Sequence, residues 1–202
     1  MLVRRRGDVM QTKETMMRVK PFAITLDVGT SLANRTGSWR TLKPVYVDRL
    51  PPCNTKCPAG EQCQAWLFHA QSGNYENAWK QIIEDNPFPA VMGRVCYHTC
   101  QGACNRNGID EPVGINAVER FLGDYALEKG WQLPVPAADT GKRILIVGAG
   151  PAGLSAAYQL RRLGHAVHVV ESAEAAGGMM RYGIPKYRLP REVLDQEIAR
   201  IT

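Results

Sequence analysis

The chain has 202 residues, 45% of them apolar and 22% charged, with a formal net charge of +6. This is a globular composition for one or two domains. Its apolar runs, such as residues 144–147, fall far short of the ~20 residues a bilayer span needs. Residues 1–6 are basic with no apolar stretch behind them, so no secretory signal is read there. The positive balance fits a basic surface or a face for an acidic partner or anionic cofactor. Lys and Arg are scattered and match no nucleic-acid-binding pattern. A cytoplasmic chain with neither a nucleic-acid nor a membrane partner is expected.

In chain order, residues 1–20 are charged, Met-rich and aperiodic, and residues 1–40 read as a flexible lead-in. A short strand is expected at 22–26. From residue 41 to 138 the pattern predicts helices joined by cysteine-bearing loops. One helix covers 61–71, ended by Ser72-Gly73, and a second covers 75–85, stopped by Pro87. Residues 88–113 read as irregular. A third helix spans 114–129, with Gly130 just past its end. Residues 131–141, with two prolines, form a linker. From 139 to 202 the pattern becomes β-α-β: a buried strand at 143–147, a helix at 151–163 stopped by Gly164, a strand at 166–170, and a last helix at 191–201. The fold class is therefore α + α/β.

Gly148-Ala149-Gly150-Pro151-Ala152-Gly153 is a G-x-G-x-x-G segment between an apolar strand and a helix, which is the context that gives the motif meaning. Gly148 permits the tight turn, Gly150 lets the backbone approach a pyrophosphate, and Gly153 lets helix and strand pack closely. The helix N-terminus presents free N–H groups to the phosphates. Glu171 ends the second strand, where a carboxylate accepts hydrogen bonds from ribose hydroxyls and disfavours a 2′-phosphate. Gly177 and Gly178 follow closely. Together these residues point to a bound dinucleotide.

The six cysteines are Cys53, Cys57, Cys63, Cys96, Cys100 and Cys104. In a cytoplasmic chain such clustering suggests metal or redox chemistry rather than disulfides. There is no C-x2-C pair, so zinc-ribbon and ferredoxin spacings both fail. On the third helix, Ile115, Val118, Leu122, Tyr125 and Ala126 form an apolar stripe, and Glu119 lies at its edge. A carboxylate so placed needs a partner. Cluster iron is one candidate; an ion pair with Arg94 or Arg106 is the other.

Cys53-x3-Cys57-Pro58, Gly93-Arg94-Val95-Cys96, Cys100-x3-Cys104, Glu119 and the glycine segment through Leu154 together resemble the N-terminal part of the glutamate synthase small (β) subunit family. The segment from Arg181 to Pro190 strengthens the likeness. The resemblance implies a helical, α-helical ferredoxin-like iron–sulfur domain followed by the start of a Rossmann-type FAD-binding domain. In that family the helical domain holds two 4Fe–4S clusters. Carried over, Cys57, Cys96, Cys100 and Glu119 complete one cluster. Cys53 and Cys104 match two ligands of the other. The remaining two, an upstream C-x2-C, are replaced by Val45-Tyr46-Val47-Asp48-Arg49-Leu50, so one cluster is expected and a second is doubtful. Cys63 is either a substitute ligand or a helix-face thiol.

For FAD, the resemblance implies Gly148 to Leu154 at the pyrophosphate, Glu171 at the ribose, Gly178 and Met179 toward the flavin and Arg188 as a further contact, with Ser172 and Gly177 also among the cofactor-binding residues. No acid–base catalyst is expected. The sequence ends without a second G-x-G-x-x-G, so the chain reads as an N-terminal piece whose NAD(P)H site lies elsewhere. The implied function is electron transfer between NAD(P)H, FAD and iron–sulfur, with a catalytic large subunit or a ferredoxin-type redox partner. Alternatives are the NAD-coupled subunit of a 2-oxoacid:acceptor oxidoreductase, and a non-enzymatic docking module stabilised by metal.

Overall fold

The computed structural model describes residues 50–134 and 138–202. The lead-in and the strand expected at 22–26 lie outside the described residues. The first part consists of α1 (Pro52–Lys56), α2 (Cys63–Gln71), α3 (Tyr75–Ile82), α4 (Pro89–Val95), α5 (Thr99–Gly102), a 3-10 turn (Asn105–Gly108) and α6 (Ile115–Glu128). Asn74 caps α3 by accepting the Asn77 N–H. At the end of α6, Gly130 adopts a φ of 64°, and the Trp131 N–H returns to the Ala126 carbonyl at 3.1 Å. This is the left-handed stop that only glycine adopts easily.

The stretch 88–113, expected to be irregular, instead contains α4, α5 and the 3-10 turn. Pro89 stands at the first helical position of α4, where a missing N–H is harmless. A residue that reads as a breaker thus starts the helix. Packing explains the glycine within it. A Cβ on Gly93 would lie 2.4 Å from the Arg120 Cα, and one on Gly123 would lie 2.3 Å from the Ala90 nitrogen. Helices α4 and α6 therefore meet backbone to backbone.

The second part contains β1 (Arg143–Val147), α7 (Pro151–Arg162), β2 (Ala166–Val170), α8 (Met179–Tyr182) and α9 (Arg191–Ile201). β1 and β2 pair in parallel, with Arg143 opposite Ala166 and Val147 opposite Val170. Strand β1 is not buried as expected: exposed and half-buried residues alternate, and Leu145 and Val147 are 62% and 81% exposed. Helix α7 covers one face of the two-stranded sheet, and no described element covers the other.

The helical and α/β parts share a core. Phe88 and Val91 pack with Leu154, Met180, Leu189, Leu194 and Ile198. Buried Glu197 on α9 accepts the Ala90 N–H at the start of α4 (3.2 Å). On α7, Gln159 and Arg162 both donate to the Glu84 carbonyl. A separate cluster within the helical part joins Trp66, Ala78, Ile82, Ile115 and Leu122 to Cys63 and Cys100. No described helix is long and apolar enough to cross a membrane.

Candidate cofactor sites

Short helices bring distant cysteines to one place. The C-terminal end of α1 carries Cys57, α2 opens on Cys63, α4 ends at Cys96, and α5 carries Cys100. Side chains fix these pieces. Buried Asn54 on α1 accepts the Gln64 N–H and donates to Gln62, tying α1 to the start of α2. The Thr99 hydroxyl donates to the Lys56 carbonyl at 3.0 Å, holding α5 beside α1. At the turn between Cys96 and Cys100, His98 has a φ of 40°. This is a strained value for a residue with a Cβ, of the kind that marks functional turns. The turn aims the His98 N–H at the Cys96 Sγ, 3.3 Å away.

The thiols of Cys57, Cys63, Cys96 and Cys100 line a cavity of about 450 Å³, together with Glu61, Glu119, Phe88 and Ile115. The ligand atoms of Cys57, Glu61 and Cys63 all lie within 4.8 Å of one another, close enough to share a metal. Several soft donors in a largely apolar wall suit a thiolate-held metal or iron–sulfur cluster. Cys53 and Cys104 do not line this cavity.

The charges are tightly coupled. Hydrogen bonding from Cys63 holds the Cys57 thiol down at about 6 and the Cys100 thiol at about 7. Cys63, placed between them, is pushed up by the same two contacts and keeps its proton. Burial, with Cys57 nearby, raises Glu61 to about 7; burial, with Glu61 nearby, raises Glu119 to about 9. The Asn86 amide bridges these two carboxyls, donating to Glu61 Oε1 and to Glu119 Oε1 at 2.9 Å each. Neither arginine considered as a partner for Glu119 reaches it: Arg94 pairs with Asp124, and Arg106 with Asp110. The Trp66 side chain is fully buried in the same cluster as Cys63 and Cys100.

The glycine loop is built mainly from backbone. Gly148 has a φ of 100°. A Cβ on Gly153 would sit 1.9 Å from the Gly148 carbonyl oxygen, and one on Gly178 would sit 2.8 Å from the Gly150 Cα. The glycine pair therefore folds onto the first loop, and the Gly177 N–H donates to the Ala149 carbonyl at 2.8 Å. Pro151 and Ala152, in the first turn of α7, are exposed, while Leu154 is fully buried. Glu171 is a loop anchor: its carboxylate accepts N–H groups from Ala149 (2.6 Å), Ser172 (2.8 Å) and Ala173 (2.9 Å). These bonds, Ala173 foremost, hold it below the usual carboxylate range. A carboxylate offers about four acceptor positions, so room for a hydroxyl donor remains. The open backbone cradle and the exposed helix N-terminus fit a dinucleotide pyrophosphate. Met179 is 71% exposed at the start of α8, and Arg188 is exposed on the turn that follows it.

Sequence reading missed Glu61 and Asn86. Glu61 follows Cys57 by four residues, and Asn86-Pro87 is a turn signal; these were the only hints. The two sites are adjacent. Pro151 and Ser155, in the first two turns of α7, form part of the wall of the thiol cavity.

Residues 47–131 match the family described as dihydropyrimidine dehydrogenase domain II, 4Fe-4S cluster, and residues 146–195 match an NAD(P)-binding Rossmann-like domain. The chain is 41% identical over 152 residues to the NAD-dependent dihydropyrimidine dehydrogenase subunit PreT of Salmonella typhimurium, covering 74% of this chain and 37% of that protein. It is 38% identical over 180 residues to glutamate synthase [NADH] of Schizosaccharomyces pombe, covering 81% of this chain and 8% of that one. It is 38% identical over 147 residues to the glutamate synthase [NADPH] small chain of Bacillus subtilis, covering 72% and 30%. The chain is related to the glutamate synthase small-subunit family. It spans between 8% and 37% of the length of these curated relatives. The family model for the iron–sulfur domain spans all six cysteines and Glu119, and the Rossmann match spans the glycine loop and Glu171.

Proposed function

We propose that the chain forms the iron–sulfur and FAD-facing portion of an NAD(P)H-dependent electron-transfer oxidoreductase. The observation that carries this reading is the shared wall: the cavity bounded by Cys57, Cys96, Cys100 and Glu119 is also bounded by Pro151 and Ser155 of the dinucleotide helix. Two sites so placed suit electron exchange between a flavin and a cluster without a diffusing carrier. Residues 41–138 act as the cluster domain, and residues 139–202 as the first part of the flavin domain. In this reading Cys57, Cys96 and Cys100 are thiolate ligands, and Cys53 and Cys104 belong to a second, incomplete set. Gly148 to Leu154 cradle the pyrophosphate, and Glu171 and Ser172 meet the ribose. Gly177, Gly178, Met179 and Arg188 lie on the flavin side.

Bound FAD would convert two-electron to one-electron chemistry. The protein's own part is positional. The His98 N–H bonds the Cys96 sulfur and the apolar wall excludes water. The hydrogen bond would stabilise the more negative, reduced state of a cluster and raise its potential, whereas the apolar wall would disfavour that state and lower it. The terminal acceptor belongs to a partner subunit. Relatives named for glutamate synthase and for a dihydropyrimidine dehydrogenase subunit support a reading in which the final acceptor differs from one relative to another.

The test is iron, acid-labile sulfide and flavin per chain on anaerobically prepared protein. About four irons with matching sulfide support one 4Fe–4S cluster, and about eight would restore a second. A colourless protein with stoichiometric zinc would end the electron-transfer reading in favour of a docking module.

A further inference from the structure

Asn86 lies in the wall of the thiol cavity, is 4% exposed, and has every part of its amide engaged. The Nδ2 group donates to Glu61 Oε1 and to Glu119 Oε1. The Oδ1 atom accepts the Phe88 N–H at 3.0 Å. A side-chain amide has two N–H donors and one carbonyl oxygen, so these three bonds fix its plane. Glu61 and Glu119 are 5% and 6% exposed, so solvent does not compete for the bonds.

Asn86 stands on residues 84–90, which lead from the end of α3 into the first turn of α4. The dinucleotide part holds both ends of this strap. At one end the Glu84 carbonyl accepts from Gln159 at 2.9 Å and from Arg162 at 2.7 Å, both on α7. At the other end the Ala90 N–H donates to buried Glu197 of α9. Between them the Asn86 N–H donates to the Ile82 carbonyl at 2.9 Å. The place of the amide is therefore set from both sides of the shared wall.

Glu119 lines the cavity with Cys57, Cys96 and Cys100. Its Oε1 is engaged by Asn86, which leaves Oε2 for a metal. A carboxylate with both oxygens loose can offer a metal either one, or both. A carboxylate pinned at one oxygen offers the other, in one direction. The amide carries no charge, so it pins Glu119 without neutralising it. Arg94 and Arg106, which would neutralise it, are paired with Asp124 and Asp110.

Resting on the iron–sulfur reading above, we infer that Asn86 is a positioning residue for the cluster: it pins Oε1 of Glu119 so that Oε2 is the oxygen presented to iron. Groups that hydrogen-bond a ligating carboxylate in this way control metal affinity without touching the metal.

The full chain would be reconstituted anaerobically with iron and sulfide. Iron affinity, read by competition with a chelator, and the electron paramagnetic resonance spectrum of the reduced cluster would be compared for the wild type, Asn86→Leu, Asn86→Ser and Val91→Ala. Asn86→Leu keeps the bulk and removes both donors. Its expected result is a fall in iron affinity of roughly 10- to 100-fold, with changed g values. Asn86→Ser keeps a hydroxyl that can donate to one carboxyl, so its loss is smaller. Val91→Ala removes packing from the buried contact between α4 and α9 but leaves the amide, and keeps the wild-type affinity and spectrum. Should Asn86→Leu fail to fold by far-UV circular dichroism, the serine variant decides, and a wild-type affinity there overturns the inference. Wild-type affinity and spectra in both Asn86 variants, or an equal loss in Val91→Ala, would overturn the positioning role and leave the iron–sulfur reading intact. A wild type that takes up no iron would overturn both.

Discussion

The thiol pocket and the glycine loop are built in opposite ways. The pocket draws single side chains from α1, α2, α4, α5 and α6, and holds them with Asn54, Asn86 and Thr99. Its polar groups lie inside an apolar core, so the site exists only as far as that core is packed. The loop is drawn from residues 148–178, made of backbone N–H groups and glycine contacts, and tied down by one carboxylate. One site is a product of tertiary packing, and the other is local geometry placed on a strand and a helix.

The largest expected effect breaks the pocket. Trp66 is fully buried among Cys63, Cys100, Ile82 and Leu122. Trp66→Ala should lower stability by about 3–5 kcal/mol in urea unfolding. It should also abolish iron uptake, because α2 and α6 lose their common filler. An unchanged iron count would mean that the thiols organise themselves around metal without the core.

A smaller effect isolates the loop. Gly153→Ala places a methyl 1.9 Å from the Gly148 carbonyl oxygen, which is backbone and cannot turn aside. Strain of this kind costs about 1–3 kcal/mol. FAD binding, followed by absorbance titration, should be lost while iron content is retained. Loss of iron as well would show that the shared wall at Pro151 and Ser155 couples the two sites mechanically.

This difference also explains what could be read in advance. The glycine loop was legible because all its determinants are close in sequence. β1, α7 and β2 lie where periodicity placed them, with α7 one residue shorter, and Glu171 falls at the end of β2. What could not be read was why Gly178 is needed, since its constraint is the Gly150 backbone 28 residues earlier. In the pocket, the cysteines were legible by type and the α6 face by its period. Asn86 was not. It sits 25 residues from Glu61 and 33 from Glu119, in a proline-rich stretch whose α4 was read as irregular. Nothing in local propensity states that an amide will bridge two buried carboxyls. The exposure of Leu145 and Val147 was likewise misread, because an apolar run records which side chains can be buried and not which are covered.

A third effect, read as a pH profile, concerns the joint between the two regions. Glu197 is fully buried on α9. Burial, opposed in part by Arg200, raises its carboxyl to about 8. The Ala90 N–H and Arg94 from α4 favour the charged form, and Asp124 from α6 opposes it. In the unfolded chain the same group ionises near 4.5. Between those values the folded protein holds a proton that the unfolded chain has released. The stabilisation is therefore full below about pH 4.5. It falls by about 1.4 kcal/mol per pH unit as pH rises, and levels off above about 8. Glu197→Gln keeps an oxygen for the Ala90 N–H and removes the proton, so its urea midpoint should change less between pH 5 and 8 than that of the wild type. Parallel profiles would mean that Glu197 stays ionised against Arg200 throughout, making the joint an ion pair rather than a neutral hydrogen bond.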